Sequence, residues 1–202
     1  MDTNTTLPIM EQFYTIQGEG FHTGRPAYFI RTGGCDVGCV WCDVKDSWDA
    51  SAHPPQTVES LLKNTIASKT DFCVITGGEP AMYDLTTLVT ALKENNIYSA
   101  IETSGCYPLL GDVNWYCFSP KKFKPPVEEA YVKANELKIV IYHKSDFAWA
   151  EEHAEKVNED CKLFLQPEWS KQAQILPLII DFVKENPKWR ISLQTHKFMN
   201  IP

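Results

Sequence analysis

The chain has 202 residues, with 19 basic and 26 acidic side chains for a formal net charge of −7, and 44% hydrophobic content. Those values fit one globular domain over residues 1–202, since domains cluster at roughly 100–200 residues, and they argue against disorder. An acidic balance with no basic run argues against a nucleic-acid partner, and no stretch approaches the ~18 apolar residues of a membrane span. The polar start over residues 1–6 is not a signal peptide, so the chain reads as cytoplasmic.

In chain order, a first β-rich run over residues 27–31 predicts a strand. Val58, Leu61, Leu62 and Ile66 then mark one face of a helix, followed by a strand over 72–76. Leu85, Leu88, Val89 and Leu92 mark a second helix with Asp84 as its N-cap, and strands follow over 98–102 and 115–119. The gap between those two strands leaves no room for a full crossover helix. A strand over 136–141, a weaker helix over 146–157 and a strand over 162–166 continue the pattern. Ile175, Leu178, Ile179, Phe182 and Val183 mark a third amphipathic helix, in which Pro177 is tolerated only in the first turn; a last strand covers 190–194. This rhythm predicts an α/β fold with a largely parallel sheet. There are too few units for a closed eight-fold barrel, so the expectation is a partial, open β/α barrel of about six parallel strands with few helices. Polar residues gather at the predicted strand ends, where such folds place their chemistry.

Seven cysteines, an odd number, argue against a disulfide framework. Three of them fall in Gly34-Cys35-Asp36-Val37-Gly38-Cys39-Val40-Trp41-Cys42-Asp43, a C-x3-C-x2-C spacing. The other four read as small buried hydrophobes. Three thiolates on one loop can hold three corners of an iron–sulfur cube, leaving one iron open for chemistry. With a fourth ligand such as His22 or Asp43 they could instead close a zinc site. The strand over 72–76 runs into Gly77-Gly78-Glu79-Pro80, where the glycines permit close backbone approach and Glu79 can accept a hydrogen bond from an ammonium group.

The cysteine spacing and the Gly-Gly-Glu-Pro run together resemble the radical S-adenosylmethionine (SAM) superfamily. Glu11-Gln12-Phe13-Tyr14-Thr15-Ile16-Gln17-Gly18-Glu19-Gly20, Gly24-Arg25-Pro26 and Phe29-Ile30-Arg31 narrow the resemblance. So do Cys42-Asp43, Glu102-Thr103-Ser104-Gly105, Ser119-Pro120-Lys121, Leu165-Gln166-Pro167 and the ending Gln194-Thr195-His196-Lys197 to Ile201-Pro202. Over nearly its whole length the chain resembles the 7-carboxy-7-deazaguanine synthase family of the 7-deazapurine (queuosine) pathway. The resemblance implies a lyase that converts 6-carboxy-5,6,7,8-tetrahydropterin to 7-carboxy-7-deazaguanine with loss of ammonia. It implies a 5′-deoxyadenosyl radical that abstracts hydrogen at C6, ring contraction, and return of the hydrogen. A homodimer and an electron donor of flavodoxin or ferredoxin type are implied as well.

By that resemblance Cys35, Cys39 and Cys42 would hold a 4Fe–4S cluster. Gly78, Glu79, Ser104, Ser119, Lys121 and Gln166 would line the SAM side. Gln17, Glu19, Arg31, Thr76, Glu102, His196 and the terminal carboxylate of Pro202 would surround the substrate. Carboxylates such as Glu19 and Glu102 suit the N–H donors of a pterin edge, and Arg31 suits a substrate carboxylate. Taken singly, Arg31 could pair with a structural acid, Glu19 could sit in a solvated turn, and His196 could be a packing residue. Family members commonly carry a hydroxyl residue after Cys-Asp that takes part in a Mg2+ site. Here that position is Val44, so Mg2+ is expected to bind weakly or be dispensable. Asp46, Ser47, Trp48 and Asp49 read as a cover over the cysteine loop, as part of a surface that meets the electron donor, or as a solvated turn. The rival readings are a glycyl-radical-enzyme activase and a non-enzymatic electron-transfer or zinc module.

Overall fold

The structure, a computed structural model, describes residues 5–202. Strand β1 (Thr6–Ile16) turns back into β2 (Pro26–Thr32), and the short β3 (Pro55–Thr57) follows the cysteine loop. Then come α1 (Val58–Ala67), β4 (Phe72–Gly77), α2 (Thr86–Glu94), β5 (Tyr98–Thr103), β6 (Trp115–Phe118), α3 (Glu128–Lys133) and β7 (Glu136–Ile141). The chain closes with α4 (Asp146–Ala154), β8 (Lys162–Pro167), α5 (Gln172–Glu185), β9 (Trp189–Ile191) and α6 (Thr195–Met199). The sheet order is β3-β1-β2-β4-β5-β6-β7-β8-β9, with β3 and β9 as open edges. From β2 to β9 every pairing is parallel, whereas β1 runs antiparallel to both of its neighbours. This is the expected open, partial barrel.

Period-two alternation decides what each strand shows to each side. Ile30, Ile75, Ile101, Leu137, Ile139 and Leu165 join one core with Leu61, Leu88, Leu92, Ile175 and Ile179 of the helices. The intervening residues face the other way. There Ala27, Phe72, Val74 and Ala100 form a second, smaller apolar floor with Phe29 and Trp115. Continuing that alternation toward the strand ends brings Arg31, Thr76, Glu102, Lys138 and Gln166 to the same inner face, where all of them line one cavity. Strands buried on both faces explain why β4 is apolar at consecutive positions rather than alternating.

Several expectations shift in detail. The parallel strands number seven rather than about six, and the antiparallel β1 was not foreseen as a strand. The last strand was expected over 190–194 but is Trp189–Ile191, because Ser192 and Gln194 turn their side chains to Gln166 and Glu19. In α1 the buried stripe is Val58, Leu61 and Thr65, while Ile66 is exposed; the Thr65 hydroxyl is satisfied by donating to the Leu61 carbonyl at 2.8 Å. The N-cap position of α2 is Leu85 rather than Asp84, which lies one residue earlier and still accepts the Thr86 N–H at 2.9 Å. Pro177 lies in the second turn of α5, not the first, since the helix already begins at Gln172. As expected, no helix separates β5 from β6. Among the described residues no helix is long and apolar enough to cross a membrane.

Candidate active site

The cysteine loop leaves the carboxyl end of β2 and is held at its base by two loops. Gly34 N–H donates to the Ser47 carbonyl at 2.6 Å and Cys35 N–H to the Trp48 carbonyl at 3.1 Å. Ser47 is buried and Trp48 lines the cavity, so the 46–49 segment is a brace rather than a solvated turn. From the other side, Gly78 N–H donates to the Thr32 carbonyl at 3.0 Å and Glu79 N–H to the Gly34 carbonyl at 2.9 Å. A Cβ at position 78 would lie 2.2 Å from the Gly34 oxygen and 2.9 Å from the Cys35 Cβ. The glycine therefore serves backbone-to-backbone docking of the two loops, not merely approach to a ligand.

Cys35, Cys39 and Cys42 all line a cavity of about 760 Å3. Among the described residues no three His, Cys, Asp or Glu side chains are grouped as for a single metal ion. Three soft thiols on one loop suit a cluster, in which each sulfur binds its own iron. Burial pushes the Cys39 thiol up to about 11 and Cys35 upward as well, while the nearby Lys121 works against the shift at Cys39. Metal ligation would displace those protons. The remaining cysteines, Cys73, Cys106, Cys117 and Cys161, are free and buried, as expected. Cys106 packs with Val37 and Cys39 beneath the loop.

Glu79 is 1% exposed and already well supplied with protein donors. Its Oε1 accepts from Ala81 N–H at 3.1 Å and from the Thr103 hydroxyl, and its Oε2 accepts from the Ser104 N–H at 2.9 Å and the Ser104 hydroxyl. It thus ties the Gly-Gly-Glu-Pro loop to the end of β5 while lining the cavity. Lys121 donates to the Ser119 carbonyl at 2.7 Å and to the Ser119 hydroxyl at 2.6 Å, and burial lowers its pKa. The Gln166 side-chain oxygen accepts from Ser192 at 2.7 Å, which leaves its amide N–H groups for a ligand.

The inner face holds a polar cluster that the sequence reading only partly assembled. Gln17 donates to Glu102 at 2.9 Å, Gln194 donates to Glu19 at 2.9 Å, and Lys138 donates to Glu19 at 2.6 Å and to Glu102 at 3.3 Å. Burial by itself would push the Glu19 carboxyl up, but the Lys138 ammonium outweighs it and holds the group at about 2. Burial disfavours the charge on Lys138 too, yet Glu102 and Glu19 keep its pKa well above the usual lysine value. Lys138 was missed; its signal was a lone cation inside the apolar run Glu136-Leu137-Lys138-Ile139-Val140-Ile141. Arg31 lines the cavity and also has a structural acid, its Nε donating to Glu11 at 2.6 Å.

The C-terminal segment forms part of the cavity wall. Thr195 N–H and its hydroxyl both donate to the Gly18 carbonyl at 2.9 Å, and a Cβ at Gly18 would lie 2.3 Å from the His196 Nδ1. Asn200 adopts the left-handed conformation that ends α6, and the Pro202 terminus accepts the Thr15 hydroxyl at 3.2 Å. Lys197 reaches back to Asp43 in the cysteine loop at 2.9 Å. His196, whose pKa is lowered by burial, Thr76 and Pro202 all line the cavity. Every residue proposed from sequence for cluster, SAM or substrate faces this one cavity.

Val44 brings no oxygen, and the Asp43 carboxylate beside it is already neutralised by Lys197. Product formation is therefore expected to survive chelation, provided the iron content measured afterwards is unchanged. Activity that vanished on chelation and returned only with added Mg2+ would contradict this.

An open parallel sheet, a three-cysteine loop at one strand end and a Gly-Gly-Glu-Pro loop docked against it define a radical SAM protein, and the Radical SAM superfamily model matches residues 29–129. The 7-carboxy-7-deazaguanine synthase of Flavobacterium psychrophilum is 59% identical, with 97% of this chain and 93% of that protein covered. The synthase of the same name from Synechocystis sp. is 45% identical over 97% of this chain and 94% of that one. The crystal structure of QueE from Escherichia coli superposes with a TM-score of 0.84 at 31% identity, covering 93% of both chains. The chain belongs to the 7-carboxy-7-deazaguanine synthase family.

Proposed function

We propose that this protein converts 6-carboxy-5,6,7,8-tetrahydropterin to 7-carboxy-7-deazaguanine with release of ammonia, as one domain over residues 1–202. The observation that carries this reading is that one cavity holds both the three-thiol loop and the Gln17–Glu102–Lys138–Glu19–Gln194 cluster. A glycyl-radical-enzyme activase must admit a protein backbone, whereas this cavity is lined by converging polar side chains, with residues 194–202 forming part of its wall.

Cys35, Cys39 and Cys42 would hold a 4Fe–4S cluster, and Gly78, Glu79, Ser104, Ser119, Lys121 and Gln166 would line the SAM side. When bound, the two would supply reversible hydrogen-atom abstraction at substrate C6. The protein's own side chains orient the ring for that exchange. Glu19 and Glu102 accept N–H donors of the pterin edge, with Gln17 holding Glu102 in place. The Nη edge of the Arg31 fork, with its Nε fixed by Glu11, meets the substrate carboxylate. Thr76, His196 and the Pro202 carboxylate complete the wall and exclude water. The substrate loses one molecule of ammonia with no net oxidation, so the only co-reactants are those that start the radical exchange. The electron comes from a donor of flavodoxin or ferredoxin type, which can approach the exposed Val40 and Phe123 beside the cysteine loop. The homodimer rests on the family resemblance, and the cytoplasmic location on the sequence reading.

The test is an anaerobic assay with reconstituted protein, reductant, SAM and the pterin, read by mass spectrometry. A product at the substrate mass less ammonia is expected, and Cys39→Ala is expected to abolish it. 5′-Deoxyadenosine without that product would discard the substrate, and neither species from protein with a full cluster would discard the reading.

A further inference from the structure

We propose that Lys138 is a positioning residue for the substrate ring, keeping Glu19 and Glu102 together as paired hydrogen-bond acceptors and so selecting a ring edge that presents adjacent N–H donors. The inference deepens the function proposed above and rests on it. It starts from geometry. Lys138 lies on the inner face of β7 and is 3% exposed. An ammonium at that depth is costly unless paired, and it is paired twice, with carboxylates from two different elements: Glu19 in the β1–β2 loop and Glu102 on β5. Each carboxylate also takes a side-chain amide on its other oxygen, Gln194 for Glu19 and Gln17 for Glu102. The five side chains therefore form one network across β7, β5, the β1–β2 loop and the C-terminal segment, and all five line the cavity.

Without the ammonium that both contact, two carboxylates in a partly buried site resist double ionisation, and the pair takes up a proton more readily than separate carboxylates would. A protonated carboxyl presents an O–H donor. Facing a substrate N–H, that is donor against donor, so a contact is lost and a buried group is left unsatisfied. Two carboxylates and one ammonium leave a net charge of −1 and acceptor-only lone pairs, which suits a guanidine-like or amidine-like edge. The other ionisable groups facing this network are Glu136 on β7, Cys117 on β6, Lys121 after β6 and His196 on α6. Glu136 Oε2 accepts the Phe21 N–H at 3.2 Å and the Trp115 indole N–H at 3.0 Å, while its buried Oε1 has no hydrogen-bond partner among the described residues. Burial raises its pKa, so it does not substitute for the charge balance that Lys138 provides.

The test compares substrate KM of the wild-type protein and Lys138→Met between pH 5.5 and 8.5, with cluster content and substrate-free 5′-deoxyadenosine formation as controls. The controls are expected to be unchanged. The KM ratio of variant to wild type is expected to be roughly 10- to 100-fold at pH 6, the worth of a charge-assisted contact, and to fall as the pH rises and the carboxylate pair loses its proton. Lys138→Arg, which keeps the charge, is expected to show no such pH trend. If Lys138→Met fails to hold its cluster, Lys138→Gln carries the test, since its amide can still donate to the carboxylates but carries no charge; the same pH trend is expected. A ratio near one, or a raised ratio independent of pH, would overturn the inference, because a merely structural lysine gives no pH trend. Failure of the wild-type protein to turn over the pterin would instead overturn the function on which it rests.

Discussion

Gly78→Ala is expected to lower turnover by about 100-fold and to reduce the iron held per chain. The added methyl would stand 2.2 Å from the Gly34 carbonyl oxygen, a backbone atom that cannot rotate aside. Relief requires a shift of the order of an ångström between the Gly-Gly-Glu-Pro loop and the start of the cysteine loop, and displacements of that size at a reacting centre cost about that factor. The same shift breaks the Glu79 N–H bond to the Gly34 carbonyl and moves Cys35, the first thiol of the loop. Overpacking of this kind also costs about 1–3 kcal/mol of stability. Gly24→Ala is the control: its φ of +89° makes a side chain strained, but nothing lies within 4 Å of the new Cβ and it is remote from the thiols in sequence. It is expected to lose some stability and keep its iron. Iron and sulfide content, the visible absorption of the cluster, and kcat measured together decide the matter. Full iron and wild-type turnover in Gly78→Ala would show that the loops are free to separate.

Blocking the chain terminus should act on the substrate rather than on the cluster. A C-terminal amide, or a tag appended after Pro202, is expected to raise substrate KM by roughly 10- to 100-fold, the worth of one charge-assisted hydrogen bond. The segment over residues 195–202 is fastened, unlike most chain ends, which fray. Thr195 is bonded twice to Gly18, Ile201 N–H donates to the His196 carbonyl at 3.2 Å, Lys197 holds Asp43, and Thr15 donates to the last residue. Attachments at Thr195, Lys197 and Pro202 hold the segment at the cavity wall. An identical tag at the amino terminus is expected to leave KM unchanged, as is the cluster content of both forms. Unaltered kinetics in the C-terminally blocked protein would remove Pro202 from the site.

The chemistry carried by contiguous residues could be read before folding. Cys35, Cys39 and Cys42 are close in sequence, so their spacing alone points to a shared inorganic centre, and Gly77-Gly78-Glu79-Pro80 names its loop in the same way. The strands were legible for a related reason: runs buried on both sides must be apolar throughout, and polar residues appear where such runs end. Inner-face positions such as Thr76, Glu102 and Gln166 follow from period-two alternation once the strands are known.

Partnerships between distant residues were not legible. Glu19 and Lys138 are 119 residues apart, and Glu102 and Lys138 are 36 apart, so nothing local marks them as one unit. Sequence alone presented Glu19 as a free acceptor; folding gives it an ammonium and an amide before any substrate arrives. Likewise Arg31 acquires Glu11, and Glu79 acquires Thr103 and Ser104, because adjacent strands bring them within hydrogen-bond reach. Local backbone rules also gave way where tertiary burial was stronger, as when Pro177 sits in the second turn of a helix whose Ile175 and Ile179 are buried. The amino-acid order thus settled which chemical groups the protein owns and which class of reaction they suit, because those follow from residue type and short spacing. Which groups share a cavity, which are already paired and which remain for a ligand were settled by strand adjacency and by the cost of burying a charge without a partner.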